Sequence, residues 1–370
     1  MQLQPVIGEF ADPMRMTILP WESGAESEMQ TPFLAGEFRV FHDGRRSLQL
    51  HAKDLNAVDE ICVEPRLIYS IKERGSRSVG SMDTLFFAHR GSSHKYSENT
   101  RAAYLQAIDE GADGIECDVH LSKDGIVVCH HDPTVDRTSD SSGLVAGYTL
   151  AEMKAMDFTG VVPSIVPAEY GTENEQLLSL GELFALIEER GKPIGLAIEI
   201  KHPSPYGHLL EKGVLQVLAE HGFDPQTGTA GSQGQIAVTL MSFEPNSLRY
   251  LARTVSTALL CQLMTEVNPD YVQQLIDSGD VGRAGVYEVL YRSVPEGIEL
   301  INAGGAGIVG SGVAWTRANE HLVRRWLEQG LKARIWTVDR PADAQFLVDL
   351  GVGELTSNRP AELRKELELS

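Results

Sequence analysis

The sequence predicts an α/β protein, a closed (β/α)8 barrel carried behind an N-terminal extension. Three observations carry that reading. From Leu85 onward, strand-like and helix-like segments alternate, which is the pattern of a parallel sheet. The strand-like segments number eight, enough to close a barrel: 85–89, 114–119, 126–131, 195–200, 236–242, 257–263, 306–311 and 332–338. Several of them end on polar or ionisable residues, as barrel strands do where a site gathers at their carboxyl ends.

Taken in order, residues 1–80 form a separate unit from the barrel of residues 81–370. Within 1–80, the stretch Phe38 to Leu50 alternates and has Asp43-Gly44 in its middle, which predicts a hairpin. Two readings fit this extension: a small β-rich appendage, or translation started upstream of Met82, which stands just before the first barrel strand. Helical patterns fill 99–110, 179–190, 207–221, 245–255, 268–278, 317–329 and 341–350. Gly111, Gly191, Gly222, Gly279 and Gly330 follow helices as stop signals. One connection is anomalous. Between Asp118 and Ile126 there is no room for a crossover helix, so an extended loop through Lys123-Asp124-Gly125 must make the return. Gly304-Gly305-Ala306-Gly307 lacks the Lys-Ser/Thr of a phosphate loop and precedes a strand, so it reads as a loop or a tight approach.

Composition narrows the function. Apolar residues make up 42% and charged residues 23% of the 370, ordinary for a globular enzyme. The balance of 32 basic against 52 acidic residues gives a net charge of −20, which argues against nucleic acid or an anionic membrane as main partner. An anionic small-molecule substrate stays possible, because local cations in a pocket decide that. Cys62, Cys117, Cys129 and Cys261 show no metal-ligand spacing and read as small buried hydrophobes. The start Met1-Gln2-Leu3-Gln4-Pro5 shows no secretory pattern, and no apolar run approaches the ~20 residues a membrane span needs. Stable membrane insertion is not expected, and a cytoplasmic location is.

The chemistry concentrates between Phe86 and Asp132. Glu116 and Asp118 are two apart on a strand, so both carboxylates share a face. Side by side they repel and favour a cation; oxygen ligands suit a hard ion such as Ca²⁺ or Mg²⁺. Glu199 and Lys201 repeat the arrangement at the end of another strand, offering a third ligand and a cation beside the metal. His89 and His131 end two further strand-like runs. Two imidazoles near a metal, with Arg90 and Lys201 as cations, describe acid/base chemistry on a phosphate ester.

His89-Arg90-Gly91, Glu98-Asn99-Thr100, Glu116-x-Asp118-Val119, Lys123-Asp124-Gly125, Val127-Val128-x-His130-His131-Asp132, Arg137-Thr138, Glu199-Ile200-Lys201 and Trp336-Thr337-Val338, in this order, resemble the glycerophosphodiester phosphodiesterase family from about Leu85 to Pro360. The resemblance implies a TIM-type barrel, a divalent ion, and hydrolysis of glycerophosphodiesters to glycerol 3-phosphate and an alcohol. It implies Glu116, Asp118 and Glu199 as metal ligands, His89 and His131 as the acid/base pair, and Arg90 and Lys201 as phosphate holders. It also implies that Trp336 lines the pocket against the glycerol moiety, where the alternative is plain core packing. The chain departs from the family pattern at Ser97, where proline is frequent, and at Asn358, where the family's Thr-Asp-x-Pro ending carries an acid.

Some positions carry two readings. His130 and His131 face opposite ways in an extended strand; His131 is the catalytic match and His130 packs. Asp132 either orients that imidazole or caps the turn into Pro133. Glu98 either sits in a first helical turn or pairs with Arg90 near the site. A related barrel enzyme acting on lysophospholipids or phosphoinositides would need an apolar entrance, and no such insertion is evident. A barrel used only to bind phosphate would be marked by loss of a histidine or carboxylate, and none is lost.

Overall fold

The computed structural model describes residues 84–162, 165–279 and 281–368, together with the backbone of the strands Ile18–Pro20, Glu37–His42 and Arg46–His51. The chain divides into two compact units, Met1–Gly80 and Ser81–Ser370. In the first, Glu37–His42 and Arg46–His51 pair antiparallel with Phe38 opposite Leu50, so the alternating stretch is a hairpin, and Ile18–Pro20 adds a third strand. Cys62 lies outside the described residues.

The second unit is a closed barrel of eight parallel strands: β1 (Leu85–Ala88), β2 (Gly114–Leu121), β3 (Ile194–Ile200), β4 (Ile236–Ser242), β5 (Leu260–Met264), β6 (Ile308–Gly312), β7 (Lys332–Trp336) and β8 (Glu354–Ser357). Each pairs with the next, and β8 closes on β1 with Thr356 opposite Phe87 and Ser357 opposite Ala88. Helices cover the outside, among them α1 (Arg101–Asp109), α2 (Leu180–Arg190), α3 (Leu209–Glu220), α4 (Pro245–Leu251), α5 (Pro269–Asp277), α6 (Val281–Asn302), α7 (Glu320–Glu328), α8 (Pro341–Leu350) and α9 (Pro360–Glu368). Local signals set their ends. Ser179 caps α2 in a reciprocal box with Glu182, and Gly191 ends it in the left-handed conformation.

One of the eight expected strands, 126–131, is not a barrel strand, and a strand the sequence reading did not foresee takes its place. Val127–Cys129 is a strand, but it runs antiparallel along the end of β2, with Val119 opposite Cys129, and takes no part in barrel closure. That hairpin is how the chain returns without a crossover helix. The true eighth strand, Glu354–Ser357, escaped the apolar pattern because its inward positions are polar. Glu354 and Thr356 face the barrel interior, while Leu355 packs in the outer core. The helix α6 was also unforeseen, since Gly282, Gly285, Gly297 and Pro295 within it oppose helix formation. With α5 it makes a helical excursion after β5 on which Ile276 and Tyr291 are exposed.

The barrel interior is packed below and polar above. Arg334 on β7 reaches across to Thr239 on β4 (Nη1 to Oγ1, 2.8 Å), a span possible only through the centre. It is paired with Glu354 on β8 at 2.6 Å and stacked 4.2 Å over the Phe87 ring. Phe87 in turn fills the space left by two glycines. A Cβ at Gly114 would lie 2.2 Å from its ring and one at Gly195 2.8 Å. These glycines stand two residues before Glu116 and Ala197, so the ring closes the lower barrel directly beneath the carboxylates.

Candidate active site

Strand alternation and register bring three acids together. Glu116 and Asp118 project from one face of β2, and Asp118 is in register with Glu199 on β3. One oxygen from each of Glu116, Asp118 and Glu199 lies within 4.8 Å of the others, and all three residues are buried. Three buried carboxylates face two half-buried cations. Lys201 Nζ bridges Glu199 Oε1 at 2.7 Å and Asp118 Oδ1 at 2.9 Å, and Arg90 Nε is 3.1 Å from Asp118 Oδ2. The contact to Asp118 Oδ1 is off the hydrogen-bonding direction, leaving that atom a buried acceptor without an aligned donor. Burial and the neighbouring Asp118 charge push Glu116 well above the carboxylate range, and burial pushes Glu199 up to about 7 against the pull of Lys201. Asp118 is held well below that range because Lys201 and Arg90 outweigh its burial. Oxygen donors with a net deficit of positive charge fit a hard divalent cation.

Backbone strain supports this cluster. Arg90 and Asn99 both take left-handed conformations, at φ 59° and 56°. The Arg90 turn aims its backbone N–H at Glu116 Oε2, 2.9 Å away. Asn99, just before the Thr100 cap of α1, donates its Nδ2 to Asp118 Oδ2 at 2.9 Å. Its Oδ1 accepts from the Tyr104 hydroxyl at 2.7 Å. Asn99 carried no role in the sequence reading beyond its place in a motif.

The two histidines differ in their partners. His89 follows β1, and its Nδ1 is 2.8 Å from Asn358 Oδ1. Burial, reinforced by Arg90, lowers it to about 4, so the ring is neutral at physiological pH. His131 Nδ1 is 2.5 Å from Asp132 Oδ1, a carboxylate that favours its protonated form, although burial and Lys201 together lower the ring. His130 is 3% exposed, with both nitrogens occupied by Asp132 O at 2.8 Å and Thr138 Oγ1 at 2.8 Å; it packs. His120, two residues beyond Asp118 on β2, was not singled out. Its Nε2 donates to His131 O at 3.0 Å and so anchors the neighbouring histidine. The alternation Glu116, Asp118, His120 was the available signal.

Arg137 completes the arrangement. It donates to Asp132 Oδ2 from Nε at 2.6 Å and to Glu98 from Nη1 at 2.8 Å and Nη2 at 2.7 Å. Arg90 Nη1 reaches the same Glu98 at 2.9 Å. Burial would raise Glu98, but Arg137 and Arg90 hold it at about 2. Glu98 therefore pairs with Arg90 instead of serving the helix, whose cap is Thr100. Asp132 is tied to His131 and Arg137. The Arg-Thr pair thus has a double use, with Arg137 bracing two acids and Thr138 satisfying His130. Trp336 ends β7 at the same face, edge-on to Phe243 with centroids 5.6 Å apart, and its indole N–H is buried without an acceptor.

A model of the glycerophosphoryl diester phosphodiesterase family matches residues 89–362. This chain belongs to that family. It is 30% identical over 287 residues to the glycerophosphodiester phosphodiesterase of Caldanaerobacter subterraneus subsp. tengcongensis, covering 76% of this chain and 97% of that one. It is likewise 30% identical over 282 residues to probable glycerophosphodiester phosphodiesterase 1 of Mycobacterium tuberculosis, covering 76% and 91%. Among solved structures, an Oleispira antarctica phosphodiesterase in complex with the product sn-glycerol-3-phosphate shares the fold, with a TM-score of 0.57 and 22% identity over 77% of this chain and 96% of that one. The chain is a phosphodiesterase on this evidence, and its glycine-backed barrel is the family's TIM-type fold. Among the described residues no helix is long and apolar enough to cross a membrane.

Proposed function

We propose that this chain hydrolyses glycerophosphodiesters to sn-glycerol 3-phosphate and an alcohol, using Glu116, Asp118 and Glu199 to hold Ca²⁺ or Mg²⁺ and His89 with His131 for proton transfer. The observation that carries it is the buried carboxylate cluster flanked by two cations and by two histidines with unlike partners. The ion, held by these three carboxylates, would supply positive charge for the phosphoryl oxygens and acidify the attacking oxygen.

The residues divide the remaining work. Arg90 offers a planar fork for two phosphate oxygens and Lys201 a compact charge beside the carboxylates. His89, held neutral, takes the proton of the attacking oxygen: water, which yields glycerol 3-phosphate directly, or a substrate hydroxyl, which yields a cyclic phosphate that water must then open. As that oxygen bonds to phosphorus, the bond from phosphorus to the leaving alcohol breaks. His131, whose protonated form Asp132 stabilises, gives its proton to the departing oxygen. Trp336 and Phe243 form the apolar wall for the glycerol half.

Release of glycerol 3-phosphate from glycerophosphocholine tests the reading. Chelator should abolish release, and Ca²⁺ or Mg²⁺ should restore it. Glu199→Ala should need far more ion or lose activity altogether. Full activity of Glu199→Ala in chelator would overturn the metal assignment.

A further inference from the structure

The side chain of Asn358 stands between a carboxylate and an imidazole. Its Nδ2 donates to Asp339 Oδ2 at 2.6 Å, and its Oδ1 lies 2.8 Å from His89 Nδ1. A carboxylate only accepts, so Asp339 decides which way the amide faces. Asp339 is itself fixed, its Oδ1 accepting the Asn358 backbone N–H at 2.8 Å and the Ser357 hydroxyl at 2.9 Å. Ser93 Oγ lies 2.9 Å from Asn358 Oδ1 and 2.9 Å from the His89 carbonyl, so its single hydrogen is shared between them and the amide's orientation rests on Asp339. With an amide oxygen against it, His89 Nδ1 must carry the ring hydrogen. Nε2 is then left with its lone pair.

We propose that Asp339, acting through Asn358, is the positioning residue that keeps His89 in the Nδ1–H tautomer and leaves Nε2 free to accept the proton of the attacking oxygen. The inference rests on the reading of His89 as the base. It gives the departure at Asn358 a physical meaning. The neutral amide fixes the tautomer without setting a negative charge against the ring, and the charge sits one residue further back on Asp339. His131 has the opposite arrangement, a carboxylate in direct contact.

Three variants test this. In Asp339→Asn, the new amide can donate to Asn358, which then turns its own Nδ2 toward His89 and forces the Nε2–H tautomer. In Asn358→Asp, two acids meet at the position of a 2.6 Å hydrogen bond. The double variant Asp339→Asn/Asn358→Asp restores a donor facing an acceptor, and a carboxylate oxygen facing Nδ1. A base in the wrong tautomer can lose up to ~10⁴-fold in turnover. Asp339→Asn should therefore lose ~10²-fold or more in kcat with KM within about threefold, Asn358→Asp, which keeps an oxygen facing Nδ1, should lose less, and the double variant should recover to within about tenfold of the parent. Histidine ¹⁵N spectra of the full chain, with His89 assigned by difference against His89→Gln, should report Nδ1–H in the parent and double variant and Nε2–H in Asp339→Asn. A role in packing alone predicts no such rescue and no tautomer change. Parental kcat and an unchanged tautomer in Asp339→Asn would overturn the relay, while a fully active His89→Gln would overturn the base assignment beneath it. Should the double variant fail to fold, the tautomer in Asp339→Asn decides by itself.

Discussion

Replacing Gly114 by alanine tests whether the packed lower barrel holds the carboxylates in place. The new Cβ would lie 2.2 Å from Phe87 Cε1, where ordinary contact begins near 3.4 Å. Arg334 lies 4.2 Å over one face of the ring, and the same ring edge, Cζ and Cε1, also fills the space beside Gly195. Either Phe87 leaves its rotamer or β2 moves by ~1 Å, and overpacking of this kind costs ~1–3 kcal/mol, here toward the upper end because Arg334 covers the ring face and the clash is deep. At ~2–4 °C per kcal/mol for a domain of this size, the melting temperature should fall by ~6–12 °C. Since Glu116 and Asp118 ride on the same strand, affinity for the ion should weaken as well. Urea and thermal melts of Gly114→Ala, Phe87→Leu and the double variant provide the measurement. The smaller side chain should make room, giving a favourable coupling of ~1 kcal/mol or more. Gly114→Ala melting within ~1 °C of the parent, or paying the same penalty in the Phe87→Leu background, would refute the packing argument.

Arg137→Ala should lower kcat ~10–100-fold, the range for losing an outer partner of a site residue. Its exposed ion pairs should contribute no more than ~1 kcal/mol each to stability. Activity assays and melts would separate the two, and Arg137→Lys should not rescue, because it lacks the fork. His131→Ala should cut turnover ~10²–10⁴-fold with little change in melting. His130→Ala should chiefly destabilise, since it empties a satisfied buried position, and steady-state kinetics beside melts would show the difference. Glu98 is held at about 2, below its ordinary 4.5, so its stabilisation is present above the unfolded value and lost as pH falls through the folded one. Stability between pH ~5 and ~2 should therefore fall by up to about 3 kcal/mol less steeply in Glu98→Gln, as acid-unfolding curves would show.

The fold was legible because parallel strands are buried on both sides and read as apolar runs. That rule also explains the exchange of strands. Val127–Cys129 is apolar enough to pass for a barrel strand, while β8 hides because Glu354 and Thr356 point into a polar interior. Periodicity reports burial, not what the strand pairs with. At the candidate site, the acids were legible from spacing of two along a strand, a purely local rule. His120 shares that spacing, while Arg137 and Asp339 were not legible, because their value lies in partners 39 and 19 residues away. Arg137 meets Glu98 across 39 residues, and nothing local marks that meeting. Asn358 was visible only as a substitution in a motif until Asp339 and His89 were found on either side of it.

The seam between β8 and β1 has a consequence for assembly. His89 donates its backbone N–H to Ser357 O at 2.8 Å, and its ring rests on Asn358, 269 residues later. The proposed base is thus completed only across the seam. A barrel that has formed β1 to β3 already holds all three acids, yet without β8 it lacks the partner of that imidazole. On the proposed reading, activity therefore reports that the barrel has closed.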